Sequence, residues 1–238
     1  MTVNSNKKAF KNTVIIVLII VFISAAVYFA YNFYNSSAAK NEYNNISTLP
    51  ASSSEAEMLA YNPIDFASLQ QGNDEVYAWI KIDGTNINYP IAQSSTDDTF
   101  YLTHSAVDKS YISSGAIYTE KYNSKDFSDR VTLVYGHNGY GDTMFTTLHN
   151  FEDEVFFNNN GYFNVYLPQR KLTYQVVSSF KYDDRHIMAS FDFNNDAVFT
   201  DFCKMIANPQ SVAQNVRDEL DTKLDENSRI LVLSTCIS

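Results

Sequence analysis

The chain has 238 residues, of which 45% are hydrophobic and 15% aromatic, enough for the core of one large domain or two small ones. Its seven glycines and five prolines exclude collagen-like and low-complexity architectures. Residues 1–40 hold four lysines and no acidic residue, so the remainder carries 13 basic and 27 acidic residues, a net charge of −14. A surface this acidic disfavours nucleic acid as a partner, because phosphates require a basic face.

The N-terminal region has the pattern of a membrane anchor. Val14 to Tyr34 contains no charged residue, and a helix of that length spans a hydrocarbon core of about 30 Å. Lysines at positions 7, 8 and 11 precede it, which places residues 1–13 in the cytoplasm by the positive-inside rule. A cleaved signal peptide is the alternative, with Ser37-Ala-Ala39 as its cleavage site, although its apolar region is usually only about 7–15 residues long. In both cases residues 40–238 lie outside the cytoplasm.

The rest of the chain divides into a stalk, residues 35–60, and a folded domain, residues 61–238. The stalk is rich in Asn, Ser and Ala and has no apolar periodicity, apart from a possible short helix capped at Ser54. Helices are predicted over 65–70, 195–206 and 210–220. Strands are predicted over 76–82, 87–91, 116–118, 131–135, 162–166, 172–180 and 230–234. The fold class is therefore mostly β with peripheral helices, in a closed or nearly closed β-barrel.

Two of the predicted strands each deliver one half of a cysteine–histidine pair. Val131 to Tyr135 leads into Gly136 and His137, and Ile230 to Ser234 leads into Thr235 and Cys236. A cysteine attacks as its thiolate, and a neighbouring imidazole takes its proton or stabilises the anion. Cys236 is therefore the candidate nucleophile and His137 its candidate base.

The other histidines and the second cysteine are weaker candidates for the base and the nucleophile. His104, His149 and His186 do not directly follow a strong apolar strand. Cys203 lies among apolar residues at helical spacing, which indicates a buried structural thiol. No group of His, Cys, Asp and Glu has zinc-ligand spacing, and no glycine loop suits a phosphate, so we expect neither a metal nor another cofactor.

Several motifs in order resemble those of class B sortases, the membrane-anchored cysteine transpeptidases of Gram-positive bacteria. Trp79 to Ile91 is similar to the first hairpin of that family, and Tyr101-Leu-Thr-His104 and Gly115-Ala-Ile-Tyr118 follow as they do there. Tyr135-Gly-His-Asn138 and Leu233-Ser-Thr-Cys236 match the segments that carry the catalytic histidine and cysteine. The resemblance extends from about Asp65 to Cys236.

The resemblance implies a fold, a reaction and partners. The fold is an eight-stranded β-barrel. In the reaction, Cys236 attacks a backbone carbonyl in the C-terminal sorting signal of a secreted protein, and an amine of the peptidoglycan precursor resolves the thioester. His137 is the general acid and base, and Ser234 matches a position that lines the substrate groove. Asn208-Pro-Gln-Ser211 is similar to the start of class B sorting signals, but without their apolar tail it is interpreted as a turn that ends a helix.

One expected catalytic residue has no counterpart. The family carries an arginine on the strand after the cysteine, but only Ile237 and Ser238 follow Cys236, so the final strand is also expected to be missing. Arg229 and Arg130 each precede their site residue by seven positions, roughly 23 Å along a strand. Arg170, Arg185 and Arg217 cannot be placed from the sequence. We therefore expect the chain as written to be weakly active or inactive, since losing an oxyanion stabiliser costs about 10²–10³ in rate.

Three functions stay open on the sequence alone. The first is a sortase whose sequence is truncated or incompletely read. The second is a catalytically impaired homologue that only binds sorting-signal peptides or cell-wall partners. The third is a cysteine peptidase that hydrolyses its acyl-enzyme instead of transferring the acyl group to an amine.

Overall fold

The first element is a long N-terminal helix. The computed structural model describes residues 2–46, 62–139 and 141–235. Helix α1 covers Thr2–Ile46 and contains Asn12–Tyr34, a stretch with a mean hydropathy of 2.8 that is long and apolar enough to cross a membrane. The helix extends into the range that the sequence analysis predicted as a stalk, and the possible cap at Ser54 lies outside the described residues.

The domain that follows is built mainly of strands. Its helices are α2 (Phe66–Gly72), α3 (Glu154–Asn159), α4 (Ile187–Ser190) and α5 (Asp196–Ala207), with 3-10 helices at Phe100–Leu102 and Thr146–Glu152. Its strands are β1 (Val76–Lys81), β2 (Asn88–Ala92), β3 (Ile117–Thr119), β4 (Val131–Tyr135), β5 (Tyr162–Leu167), β6 (Arg170–Gln175), β7 (Ser178–Phe180), β8 (Gln214–Val216) and β9 (Ile230–Ser234).

Seven of these strands form one strongly curved sheet, in the order β6-β5-β1-β2-β3-β4-β9. Strands β2 and β3 are parallel, as are β4 and β9, and the other neighbours are antiparallel. Strands β7 and β8 form a separate antiparallel pair. The result is a nearly closed β-barrel with helices at its periphery, which confirms the predicted fold class.

Strand β4 is buried on both faces, and β9 is buried at its first residue and half-buried over the rest. On β4, Val134 packs into the main core around Trp79, whereas Val131 and Leu133 pack into a second cluster. The second cluster contains Ile230 of β9 and four residues of α5: Phe199, Phe202, Cys203 and Ile206. Because alternate residues of a strand point to opposite faces, α5 covers the outer face of both strands while the barrel core covers the inner face. Their apolar runs follow from this double burial.

Two predicted elements were wrong. The single strand predicted over 172–180 is two strands in different sheets, because Val176 N–H donates to Gly161 O and the chain then leaves β5 to pair with β8. The helix predicted over 210–220 is an irregular segment that contains β8. Asn215 in β8 donates its side-chain amide to the carbonyls of Phe151 and Glu152. Tertiary pairing therefore overrides the helical pattern.

The covering helix α5 should contribute much of the stability of β4 and β9. Phe199 is fully buried, and the Arg130 guanidinium lies 5.2 Å from its ring centroid. We expect Phe199→Ala to lower the free energy of unfolding by about 3–5 kcal/mol in urea denaturation, since it leaves a cavity. Thr200→Ala, on the exposed side of the same helix, is the matched control and should change it by less than about 0.5 kcal/mol. Equal effects of the two substitutions would contradict this packing.

Candidate active site

His137 lies two residues after the end of a strand that is paired in parallel. Residues of β4 pair with residues of β9 in unbroken register from Val131–Ile230 to Tyr135–Ser234. The ladder continues one step further, because Gly136 N–H donates to Ser234 O at 3.1 Å. His137 lies two positions after Tyr135, and Cys236 lies two positions after Ser234 in the sequence. Cys236 itself lies outside the described residues.

Gly136 has no room for a side chain. A Cβ atom at this position would lie 2.5 Å from Ile117 Cδ1 and 2.6 Å from Phe145 Cγ. Phe145 is fully buried, and its N–H donates to His137 O at 3.0 Å. The close approach of Phe145 thus explains why a glycine precedes the histidine, and it holds the His137 backbone against the core.

The His137 ring is oriented by a backbone carbonyl. Its Nε2 lies 2.8 Å from Leu102 O. A carbonyl oxygen only accepts hydrogen bonds, so Nε2 carries the proton in this contact. In the neutral ring Nδ1 is therefore the basic nitrogen.

Leu102 is held by a network of polar contacts at the neighbouring tyrosine. Tyr101 OH lies 2.9 Å from Asn73 Nδ2 and donates to Glu75 Oε2 at 2.8 Å. Burial alone would raise the pKa of Glu75, but hydrogen bonds from Ser95, Tyr101 and Lys109 lower that pKa to about 2. The loop that orients His137 is thus tied to a carboxylate at the start of β1.

Gly115 allows this loop to pack closely. Its φ of +56° belongs to the left-handed region, and a Cβ atom would lie 2.5 Å from both Tyr101 O and Leu102 O. The close packing in this motif places the Leu102 carbonyl that orients His137. Tyr101 and Gly115 both contribute to that packing. The sequence motif contained this loop, but the role of its carbonyl was not predictable from side-chain types.

The residue after His137 contacts a second histidine. Asn138 Nδ2 lies 3.3 Å from His149 Nε2, and His149 Nδ1 lies 2.5 Å from Glu152 Oε1. A proton on Nδ1 satisfies both contacts, since Nδ1 then donates to the carboxylate and Nε2 accepts from the amide. His149 and Glu152 thereby position the turn that follows His137.

Ser234 and Thr235 border a large cavity of about 1220 Å³. Ser234 is partly buried at the end of β9. The Thr235 hydroxyl oxygen is buried and has no hydrogen-bond partner in the described part of the chain. The cavity is lined by both edges of the main sheet, with Leu172 and Tyr174 from β6 and Leu231 and Leu233 from β9.

The competing histidines and the second cysteine have other partners. His104 stacks on Phe100 with ring centroids 3.9 Å apart, and His186 Nε2 lies 2.8 Å from Glu120 Oε2. Cys203 is buried in α5, and burial raises the pKa of its thiol, which keeps the thiol protonated and unreactive. The prediction that Cys203 is a structural core residue is confirmed.

All five arginines also make contacts of their own. Each guanidinium is bound by backbone carbonyls or by a carboxylate: Arg130 by Phe193 and Asp196, Arg170 by Asp126, Arg185 by Asp183, Arg217 by Phe157 and Val176, and Arg229 by Ser128, Asn227 and Ser228. Within the described residues, none of these contacts involves His137 or Ser234. The described residues also contain no group of three or more His, Cys, Asp and Glu side chains that could hold a metal ion.

Comparisons with known proteins identify the same architecture. No protein-family model matches the chain. The crystal structure of Clostridium perfringens sortase B is 33% identical, with a TM-score of 0.64 over 72% of this chain and 91% of that one. A Staphylococcus aureus sortase B–substrate complex is 25% identical, with a TM-score of 0.61 over 77% of this chain and 83% of that one. The curated sortase B of Listeria monocytogenes is 27% identical over 72% of this chain and 67% of its own length.

The fold and the strand-end histidine thus define a sortase-type β-barrel, whose general function is transpeptidation. The chain belongs to the class B sortase family.

The contact between Leu102 and His137 can be tested through Gly115. We expect neutral His137 to be the Nε2–H tautomer, visible in long-range ¹H–¹⁵N spectra of the imidazole. Gly115→Ala should displace the Leu102 carbonyl and abolish the protected Nε2–H signal. Gly141→Ala is the control, because Gly141 also has a positive φ but no atom within 4 Å of its Cβ position.

The same pair of variants separates backbone strain from steric overlap. Gly141→Ala should cost about 1 kcal/mol of stability from its positive φ alone. Gly115→Ala should cost about 1–3 kcal/mol more because of the overlap with the loop. An unchanged His137 signal in Gly115→Ala would mean that the Leu102 carbonyl does not orient the ring.

The lowered pKa of Glu75 predicts a loss of stability in acid. Because the pKa in the folded state, about 2, lies below the ordinary value of 4.5, the ionised carboxylate stabilises the fold fully above about pH 4.5. That contribution is lost as the pH falls from 4.5 towards 2.

The variant Glu75→Gln keeps the shape of the side chain and removes its charge. In urea denaturation the difference in stability between wild type and Glu75→Gln should shrink steadily over that acidic range. Asp74→Asn is the control, since Asp74 contacts the same Lys109 from an exposed position. A difference that stays constant down to about pH 2.5 would rule out this role of Glu75.

Proposed function

We propose that the chain is a cysteine transpeptidase with Cys236 as nucleophile and His137 as general acid and base. The observation that carries this proposal is the unbroken parallel register of β4 and β9 as far as Gly136 and Ser234. Adjacent strands lie about 4.8 Å apart, so the same register continued by two residues brings position 236 next to position 137. The assignment of Cys236 rests on this extrapolation and on the family.

The chemistry follows from the orientation of His137. Its Nε2–H is bound to the Leu102 carbonyl, so Nδ1 is the nitrogen available to take the Cys236 proton. The thiolate attacks a backbone carbonyl of the sorting signal, and the protonated imidazole gives its proton to the leaving amine as the C–N bond breaks. A thioester remains. An amine of the peptidoglycan precursor then attacks the thioester, His137 takes the amine proton, and the thiol is released with a new amide bond.

The substrate-binding role falls to the cavity beside Ser234. Its apolar walls include Leu231 and Leu233. A C-terminal sorting signal of a secreted protein is the substrate we propose, with Ser234 lining the groove. A solved relative from Staphylococcus aureus is described as a sortase B–substrate complex, which supports this choice.

The proposed location is the outer face of the cell membrane. Residues 14–34 serve as a single transmembrane anchor, and residues 1–13 lie in the cytoplasm. Residues 35–60 form a stalk that links the anchor to the catalytic domain, residues 61–238. The apolar length of Asn12–Tyr34 and the preceding lysines support this topology.

A second candidate function is binding of sorting-signal peptides without efficient transfer. The observation that favours it is that all five arginines are bound elsewhere, which leaves the oxyanion without an arginine from the described residues. A cysteine peptidase that releases the acyl group to water is a related outcome, because an acyl-enzyme partitions between water and an amine.

The experiment is a peptide-transfer assay with matched controls. Fluorescent peptides beginning Asn-Pro-Gln are incubated with the full chain, with and without triglycine as the amine, and products are resolved by mass. Cys236→Ala and His137→Ala should each lower the rate by at least about 100-fold. Cys203→Ala changes the same residue type away from the site and should retain most of the activity.

Each outcome separates the candidates. Formation of the triglycine adduct that depends on Cys236 and His137 supports the transpeptidase. Cleavage with no adduct indicates a peptidase. Peptide binding by Cys236→Ala and wild type alike, with no thioester in either, indicates a binding protein and would refute the transpeptidase proposal.

A further inference from the structure

One residue of the apolar stretch is covered by the domain. Of the side chains at positions 12–34, all are exposed except Asn32, which is 8% exposed. Asn32 Nδ2 donates to Tyr28 O in its own helix at 2.9 Å, and its Oδ1 accepts from Ser113 Oγ at 3.0 Å. The loop between Leu102 and β3 therefore contacts α1 within the stretch that is apolar enough to span a membrane.

The position of Asn32 fixes the depth of this contact. It lies two residues before Tyr34, where the apolar stretch ends, or about 3 Å along the helix. The headgroup layer on each side of the hydrocarbon core is roughly 5–7 Å thick. If α1 crosses the bilayer, Ser113 therefore lies at the level of the outer interface between lipid and water.

An exposed aromatic side chain lies beside Ser113. Tyr111 is 69% exposed, although it is the kind of residue that favours a membrane interface, with an apolar ring and a polar hydroxyl. Its backbone is held by two contacts: Tyr111 and His104 form an antiparallel bridge, and Ile112 N–H donates to Thr103 O at 2.9 Å. The loop therefore exposes the tyrosine to solvent.

We propose that residues 110–113 form a surface that rests on the outer membrane interface, with the Tyr111 ring among the lipid headgroups. The partner is the lipid bilayer that α1 crosses. This inference rests on the proposed anchoring by α1. It adds that the catalytic domain lies on the membrane in one orientation instead of moving freely on a linker.

This orientation has a consequence for the candidate active site. The membrane-facing residues belong to the loop that starts at Phe100–Leu102, and Leu102 O is the acceptor that orients His137. Thr103, the residue after Leu102, accepts a hydrogen bond from Ile112 N–H and so links the segment that orients His137 to the membrane-facing residues. The support of the catalytic histidine and the proposed membrane contact are therefore parts of one loop.

The charges of the loop indicate which lipids are needed. Lys109, the one lysine between residues 100 and 114, is already paired with Asp74 and Glu75. The contact then depends on Tyr111 and not on attraction to anionic headgroups, so we expect it in zwitterionic vesicles and expect little dependence on salt.

The experiment uses tryptophan fluorescence in the full chain. Tyr111→Trp and Tyr122→Trp are each reconstituted into phosphatidylcholine vesicles that contain a lipid brominated near the carbonyl end of its acyl chains. Tyr122 is the matched control, since it is 60% exposed and its ring lies near His186, 5.7 Å between centroids. The single native tryptophan, Trp79, is fully buried and gives the same background in both variants.

We expect the added emission of Tyr111→Trp to fall in the brominated vesicles, and that of Tyr122→Trp to match unbrominated vesicles. Flotation of the vesicles reports separately on anchoring. If the chain floats but Tyr111→Trp is quenched no more than Tyr122→Trp, the proposed membrane-facing surface is refuted, whereas the proposed anchoring by α1 is retained. If the chain does not float with the vesicles, both the anchor and this surface are wrong.

Discussion

The parallel hydrogen bonding of β4 to β9 is the constraint on which the candidate site depends. These strands are far apart in the chain, yet they pair without a bulge from Val131–Ile230 to Tyr135–Ser234, and Gly136 N–H continues the ladder to Ser234 O. In a parallel pair both strands end at the same edge of the sheet. A histidine after one strand and a cysteine after the other therefore meet only if this register holds. A shift by one residue would turn the alternate side chains of β9 to the opposite face.

The packing around this pair keeps the register in place. The inner faces of β4 and β9 join the barrel core, and α5 covers their outer faces through Phe199 and Phe202. At the end of β4, Phe145 leaves no space at Gly136 for a side chain, and the Leu102 carbonyl orients the His137 ring. Buried apolar contacts therefore set the position of His137, whereas a single polar contact sets its tautomer.

Much of the barrel could be predicted from the sequence because apolar alternation is a local signal. Strands such as Val131–Tyr135 and Ile230–Ser234, and the helix capped by Asn195, lie where the pattern placed them. The prediction failed where long-range strand pairing decides the secondary structure. The residues of β8 have a helical sequence pattern, but in the structure they pair with β7. His137 was identifiable from its place after a strand. The Leu102 carbonyl was not, since any residue type supplies a carbonyl and only the fold brings it to the histidine.

The central claim is that positions 137 and 236 are neighbours across the parallel pair, and disulfide trapping tests it most directly. Neighbouring parallel strands bring Cα atoms to about 4.8 Å, within the range of about 4.4–6.8 Å that a disulfide bridges. In a Cys203→Ala background, His137→Cys leaves Cys236 and one new thiol, and Ser128→Cys provides a control before the start of β4. The account predicts that mild oxidation of His137→Cys gives an intramolecular disulfide, seen as the loss of two hydrogens by mass, while Ser128→Cys keeps two free thiols. Two free thiols in the His137→Cys variant under the same conditions would contradict it.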